Sequence, residues 1–201
     1  MNNKPTKGEY LEVLLRSTKT IFSTKDVSLL WNESDNSIVT DRLKKYVKTG
    51  KLVRAHRGLY AKDPNYDRFE LATRIYTPSY ISFETVLTRE GMNFQYYGNI
   101  FIATYINREI VAGEQRITFV RMKDYVLSNT TGIEHNGGYA IATKERAFLD
   151  RVYISKDYHF DNLANLNWDK VFEILPIYHN KRLEKKIKEY FKSVEDNQIK
   201  K

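Results

Sequence analysis

Apolar residues recur at helical spacing in two short segments near the start of the chain. Residues 7–16 and 24–31 each place their apolar side chains on one side, so both predict short helices. Ser23 precedes the second segment and is the expected N-cap, because a serine side chain can accept a hydrogen bond from a free backbone N–H. The expected apolar stripes are Tyr10, Leu11, Leu14 and Leu15 in the first helix and Val27, Leu30 and Trp31 in the second.

A third helix is expected between the polar residues 32–36 and Gly50. Asn36 or Ser37 can cap its start, and Gly50 suits the left-handed residue that follows a helix end. The expected buried side consists of Val39, Leu43, Tyr46 and Val47. The opposite side is a candidate recognition surface with Thr40 at its margin, and it presents Ser37, Asp41, Lys44, Lys45 and Lys48.

Two short strands, residues 52–55 and 59–61, are predicted around the turn His56-Arg57-Gly58. Three helices followed by a basic hairpin indicate a winged helix-turn-helix. In that fold Thr40 and Ser37 can reach base edges, the lysines can meet phosphates, and Arg54 and Arg57 lie on the DNA backbone or in a minor groove. Asp41 repels phosphate unless it accepts a hydrogen bond from a cytosine amino group or pairs with a neighbouring lysine, and both interpretations stay open.

The turn-forming Asp63-Pro64-Asn65 predicts a hinge, so the expected domains are residues 1–63 and 64–201. The second domain alternates helical and strand-like patterns, which makes the whole chain α+β. Its expected strands, at 100–104, 108–112 and 117–123, form a small antiparallel meander, and another strand at 139–142 follows the turn at Gly137-Gly138. Its expected helices are 68–76, 83–89 after Ser82 as N-cap, a helix capped by Thr143 that runs to 153, and a helical tail at 168–175 and 181–194.

Positive charge is concentrated in the predicted DNA-binding domain. Residues 1–61 contain 12 Lys and Arg against 6 Asp and Glu, a net charge of +6, whereas residues 62–201 contain 21 against 19, a net charge of +2. A basic segment favours a polyanionic partner, because each neutralised phosphate releases counterions. Ordinary solvated lysines are the alternative interpretation of the same charge.

The composition also argues against several other classes of protein. No run of eighteen apolar residues is present and the N-terminal residues are polar, so we expect no membrane span, no signal peptide and a cytoplasmic protein. The chain has no cysteine, which excludes disulfides, cysteine zinc sites and thiol catalysis. No phosphate-binding glycine loop is present, and we expect neither a cofactor nor a metal.

Two carboxylates of one predicted helix are candidate catalytic groups. Glu145 and Asp150 are five residues apart, about 140° around a helix axis, so they do not share a face as nuclease carboxylates would. Ion pairs and a buried, hydrogen-bonded Asp150 are favoured over a metal site. His135, His159 and His179 are too scattered to suggest zinc. We therefore expect no enzyme, with a nuclease or modifying enzyme as the less favoured alternative.

Three segments of the chain, in this order, resemble the AbiEi family of antitoxins and transcriptional regulators. The matching residues are 22–26 with 43–52 and 57–61, then Pro78-Ser79-Tyr80-Ile81-Ser82-Phe83-Glu84-Thr85-Val86-Leu87 with Gly91, and finally Ala142-Thr143-Lys144-Glu145-Arg146-Ala147-Phe148-Leu149-Asp150. In the last run Arg146 stands where the family has lysine, which keeps the charge but changes the hydrogen-bond geometry.

The resemblance implies a winged helix that binds double-stranded DNA at inverted repeats in the promoter of its own operon. It also implies a second domain that counters a nucleotidyltransferase-like toxin encoded nearby, in a toxin-antitoxin system of phage defence. A regulator without a toxin is the alternative within the same class. Residues 155–201 match nothing in the family.

Overall fold

The computed structural model describes residues 5, 6, 8–95, 98–155 and 157–199. Within these ranges the chain is a mixed α+β protein with nine α-helices and two β-sheets. It divides into two compact units. The first contains the residues up to Thr77 together with Ala112–Glu114 and Asn136–Tyr139, and the second contains the remainder.

The first unit combines four helices with a three-stranded antiparallel sheet. Its elements are α1 (Glu9–Arg16), β1 (Ile21–Ser23), α2 (Thr24–Leu30), α3 (Asn36–Lys48), β2 (Val53–His56), β3 (Leu59–Ala61) and α4 (Arg68–Ile75). The central strand β3 pairs with β1 on one side and β2 on the other. Since α4 belongs to this unit, the unit extends past the hinge expected at residues 63–65.

The three predicted N-terminal helices and the hairpin are present, and their buried residues form one core. That core consists of Tyr10, Leu14, Phe22, Val27, Trp31, Val39, Leu43, Leu52 and Tyr60. Two predicted core residues were wrong: Leu15 is 50% exposed and Leu30 is 37% exposed, because each lies at the edge of its helical stripe. Lys7, where α1 was expected to begin, lies outside the described residues.

The helix ends explain why these short segments are helical. Ser23 is confirmed as the N-cap of α2, where its hydroxyl and the Asp26 carboxylate form a reciprocal capping box. Gly50 is confirmed in the left-handed region after α3, with φ 69°. The predicted caps Asn36 and Ser37 were wrong. Asp35 caps α3 instead, because its carboxylate accepts a 2.8 Å hydrogen bond from the Ser37 backbone N–H.

The second unit holds most of a larger sheet and the helices that cover it. The elements that lie wholly or mostly in it are β4 (Tyr80–Ile81), α5 (Glu84–Arg89), β5 (Asn99–Thr104), β6 (Arg108–Ala112), β7 (Gln115–Arg121), α6 (Asp124–Leu127), β8 (Ile133–Asn136), β9 (Tyr139–Ala142), α7 (Lys144–Ile154), α8 (Trp168–Ile174), a 3₁₀ turn (Leu175–Tyr178) and α9 (Lys181–Ile199). The turn predicted at Gly137-Gly138 is confirmed between β8 and β9.

The predicted antiparallel meander was wrong. The strand order is β6-β7-β5-β4-β9-β8, so β6 lies on the edge rather than between β5 and β7. Strands β5 and β7 pair in parallel over six residues, and β4 and β9 also pair in parallel. The larger sheet is therefore mixed. Alternation along a strand specifies which residues face the core, but it does not specify the neighbouring strand.

The predicted role of Ser82 as an N-cap was also wrong. Phe83 occupies the position before α5, with φ 54° and a fully buried side chain. The Ser82 hydroxyl instead donates a 2.7 Å hydrogen bond to the carboxylate of Asp150. The Ser82 hydroxyl therefore hydrogen-bonds a buried carboxylate, and it does not cap the start of α5.

Candidate nucleic-acid interface

Helix α3 is held against the first unit by its buried side. Val39 and Leu43 are fully buried in the core, while Tyr46 and Val47 are half-buried at its edge. Arg42 also turns inwards, with its guanidinium carbon 3.6 Å from the centre of the Tyr10 ring. The polar residues that the sequence predicts as DNA contacts lie on the outward side of α3.

The hairpin of β2 and β3 places two arginines beside that helix. Strand β3 is buried, whereas Arg54 on β2 and Arg57 in the turn are exposed. The pairing register shifts by one residue between Arg54 and His56, and Gly58 adopts φ 76° to close the turn. The irregular hairpin thereby keeps both guanidinium groups on the surface.

A cleft of about 420 Å³ in the first unit brings most of the predicted contact residues together. Five of the eight predicted residues line this α3 cleft, namely Thr40, Lys44, Lys48, Arg54 and Arg57. The other lining residues are Thr24, Val47, Gly58 and Tyr60, and none of the nine is acidic. Four cationic side chains in one concave surface create a positive potential that attracts phosphate.

Three predicted residues do not line the cleft. Lys45 is exposed elsewhere on α3. Ser37 is exposed at the start of the helix, where its hydroxyl donates a 2.6 Å hydrogen bond to Asp35. Asp41 forms a 3.2 Å ion pair with the ammonium group of Lys44, and both side chains are largely exposed. Of the two interpretations of Asp41, the free protein adopts the lysine pair.

The sequence did not single out Thr24, Val47, Gly58 and Tyr60 as contact residues. Thr24 is the first residue of α2 after the Ser23 cap, and Tyr60 lies on β3 in the middle of the sheet. For Thr24, the sequence offered only the Ser23 cap, because the residue that follows an N-cap is the first residue of the helix. The position of Tyr60 follows only from the pairing of three strands.

The carboxylate of Asp26 fixes the start of α2, and with it Thr24, in the first unit. Asp26 accepts hydrogen bonds from Lys19 at 2.8 Å and from Arg74 at 3.0 Å, and it also binds the Ser23 backbone N–H at 2.9 Å. Burial raises the pKa of Asp26, but these hydrogen bonds and the Arg74 charge outweigh it and lower the pKa to about 2.

No family model matches the chain, and no curated protein matches it either. The α3 cleft and the sequence pattern therefore provide the evidence for function. None of the helices in the described ranges has the length and apolar character needed to cross a membrane.

The second unit buries Asp150 and Glu145, the two candidate catalytic carboxylates. Asp150 is fully buried and accepts hydrogen bonds from Tyr178 at 2.7 Å and Tyr80 at 3.2 Å, with Arg146 at 3.3 Å. Glu145 is buried at a separate position and accepts a 3.2 Å hydrogen bond from the Asn167 backbone N–H. The prediction that Asp150 is buried and hydrogen-bonded is confirmed.

Arg146 is the cation that the buried Asp150 requires. It is fully buried and donates to the backbone carbonyls of Val126 at 2.7 Å and Thr131 at 2.8 Å. Burial lowers the pKa of Arg146, but the interactions with Asp150, Tyr178 and Tyr80 together outweigh burial and raise that pKa. For Asp150, burial raises the pKa although Arg146 and three hydroxyls oppose it. The run 142–150 thus builds the interior of this unit.

Proposed function

We propose that the first unit is a winged helix-turn-helix that binds double-stranded DNA. The observation that carries the proposal is the α3 cleft, in which Lys44 and Lys48 of the third helix meet Arg54 and Arg57 of the β2–β3 hairpin. Helix α3 enters the major groove, and the hairpin grips the adjacent backbone. The four cations neutralise phosphates, which provides affinity without sequence preference.

Sequence preference arises from the short polar side chains near the start of α3. Thr40 lines the cleft and Ser37 is exposed one turn earlier, so both lie where a helix in the major groove presents its N-terminal residues to base edges. Asp41 holds Lys44 in the free protein and releases it to a phosphate when DNA binds. The lysine contacts position the helix, and the hydroxyls read bases.

In the cell, we propose that the protein is a cytoplasmic autoregulator of the AbiEi type. It represses its own promoter at inverted repeats and acts as the antitoxin of a nucleotidyltransferase-like toxin. Support comes from the three resembling segments in their order and from a second compact unit beyond the basic one. The burial of Asp150 and Glu145 favours a binding role over an enzyme for that unit.

A mobility-shift titration tests the proposal. Full-length protein is titrated against the DNA upstream of its own gene and against unrelated DNA of equal length, at two salt concentrations. We expect a preference of at least about tenfold for the upstream DNA and weaker binding at higher salt. Equal affinity for both DNAs would contradict sequence-specific regulation. Coexpression with the adjacent gene then separates an antitoxin from a regulator without a toxin.

A further inference from the structure

The second unit contains a cleft of about 470 Å³ that DNA binding does not use. It is lined by Asn93, Phe94, Gln95, Tyr158, His159 and Asp161, and we call it the Asn93 cleft. Small-molecule sites in proteins typically occupy about 300–1,000 Å³. The Asn93 cleft therefore has the volume for a single small ligand.

Backbone hydrogen bonds tie the two walls of the Asn93 cleft together. The carbonyl of Met92 accepts hydrogen bonds from the backbone N–H groups of Asp161 at 3.0 Å and Asn162 at 3.2 Å. The Phe94 N–H donates to the Asp161 carboxylate at 2.7 Å. The segment around Asn93 and the segment around Asp161 are thus held at a fixed separation, so a ligand does not have to order them.

Asn93 supplies an acceptor that no described residue uses. Its side chain is 4% exposed, and its amide nitrogen donates to the Tyr158 hydroxyl. Its Oδ1 is buried and accepts no hydrogen bond from the part of the chain that the structure describes. Because a buried acceptor without a partner is unfavourable, a ligand that offers an N–H group to Oδ1 gains binding energy.

Phe94 supplies a flat apolar surface beside that acceptor. Its side chain is 74% exposed, although its backbone is fixed by the hydrogen bond to Asp161. An exposed ring next to a buried amide suits a planar heteroaromatic ligand, which can stack on the ring and hydrogen-bond through its edge. Asparagine is one of the side chains that pairs with the edge of an amino-bearing base.

Among the described residues, the charges that line the cleft disfavour a phosphate on that ligand. None of the six lining residues is Lys or Arg, and Asp161 is acidic. Arg151 lies over the Tyr158 ring, 4.2 Å from its centre, but its guanidinium is paired with Glu84 at 3.1 Å. A neutral ligand fits this environment better than a nucleotide.

We propose that the Asn93 cleft binds an amino-bearing nucleobase, as the free base or nucleoside. The exocyclic amino group donates to Asn93 Oδ1, and the ring stacks on Phe94. This site lies in the second unit and does not depend on the DNA-binding proposal.

Calorimetric titration of the full chain with adenosine tests the proposal, beside purine riboside, which lacks the amino group, and adenosine monophosphate. We expect saturable adenosine binding, at least about tenfold weaker binding of purine riboside, and no gain from the phosphate. Absence of saturable adenosine binding up to about 10 mM would overturn the proposal. Equal binding of purine riboside would overturn it as well, and so would clearly tighter binding of the monophosphate.

Two variants assign the binding to this cleft. Phe94→Ala should weaken adenosine binding by at least about fivefold through lost stacking, with the thermal unfolding temperature unchanged because the ring is exposed. Val111→Ala, at an exposed apolar residue outside the cleft, is the matched control and should bind like the original protein. Asn93→Ala should abolish binding. If the Asn93→Ala variant does not fold, the Phe94→Ala variant tests the assignment alone. Unchanged adenosine binding by Phe94→Ala would place adenosine elsewhere and overturn the assignment.

Discussion

The guanidinium of Arg74 and the carboxylate of Asp26, 48 residues apart in sequence, form a 3.0 Å ion pair in which both side chains are less than one-fifth exposed. Arg74 also binds the buried Glu70 carboxylate at 3.1 Å. Glu70 in turn accepts hydrogen bonds from the backbone N–H of Thr20 at 2.8 Å and from its hydroxyl at 2.7 Å. Helix α4 is thereby linked to Thr20, which precedes β1, and to the first turn of α2.

Asp26→Asn should destabilise the first unit by about 2 kcal/mol at neutral pH, because the folded pKa is about 2 against an ordinary value of 3.8. A lowered pKa stabilises the folded state fully above pH 3.8, and this stabilisation is lost as the pH falls towards 2. Urea unfolding of both proteins at several pH values measures the difference. A difference that stays constant down to about pH 2 would contradict the role of the charge.

Arg57→Ala should weaken binding to operator and unrelated DNA by a similar factor, because a backbone contact carries no base information. The slope of log affinity against log salt concentration should fall by about one unit. Lys51→Ala is the matched control, since Lys51 is an exposed cation of the same unit that does not line the α3 cleft. Fluorescence anisotropy across a salt series measures all three proteins. Equal losses in both variants would mean that net charge, rather than the cleft, determines binding.

Asp41→Asn should strengthen binding to all DNA sequences by a few-fold at low salt, because it removes a negative charge beside Lys44 and frees the ammonium group for a phosphate. The salt slope should become steeper by up to about one unit. Anisotropy titrations with operator and unrelated DNA check this. Loss of preference at a single base position, without a general gain, would instead assign Asp41 to a cytosine amino group.

Features that depend on a few neighbouring residues could be predicted from the sequence. The Ser23 cap, the left-handed Gly50 and the turn at Gly137-Gly138 each follow from the chemistry of one short segment. The basic face of α3 follows from helical spacing alone. Helical spacing predicts that Thr40, Lys44 and Lys48 lie on one side of a helix. The predicted hairpin provides Arg54 and Arg57 as further contact residues.

Features that depend on distant partners could not be predicted in the same way. Ser82 and Asp150 are 68 residues apart, so the capping motif at Ser82 gave no sign that its hydroxyl serves a buried carboxylate. The parallel pairing of β5 with β7 places β6 on the edge, which alternation within each strand does not encode. The Asn93 cleft brings residues 93–95 against 158–161, and neither segment carries a recognisable motif.

Asp150→Asn should destabilise the second unit by about 3–5 kcal/mol, because it leaves the buried Arg146 guanidinium without its counter-charge. Glu109→Gln is the matched control: Glu109 pairs with Arg116 at 2.9 Å, but both side chains are at least half exposed. That change should cost less than about 1 kcal/mol. Urea unfolding followed by circular dichroism compares the variants. Similar small losses in both would show that the buried pair contributes little net stability.

Thr40→Ala should change which bases the protein prefers while leaving its affinity for unrelated DNA nearly constant, because Thr40 lines the α3 cleft without adding charge. Ser37→Ala provides the comparison: its backbone N–H keeps the 2.8 Å bond to Asp35, so the helix cap persists when the hydroxyl is removed. Selection from operators randomised at each position, followed by anisotropy on the enriched sequences, measures both variants. A mismatched base typically costs about 1–3 kcal/mol, so a lost hydroxyl contact should flatten the preference at one position by about fivefold or more. If both variants keep the original preference at every position, the hydroxyls of α3 do not read bases, and specificity must come from DNA shape recognised by the arginines of the hairpin.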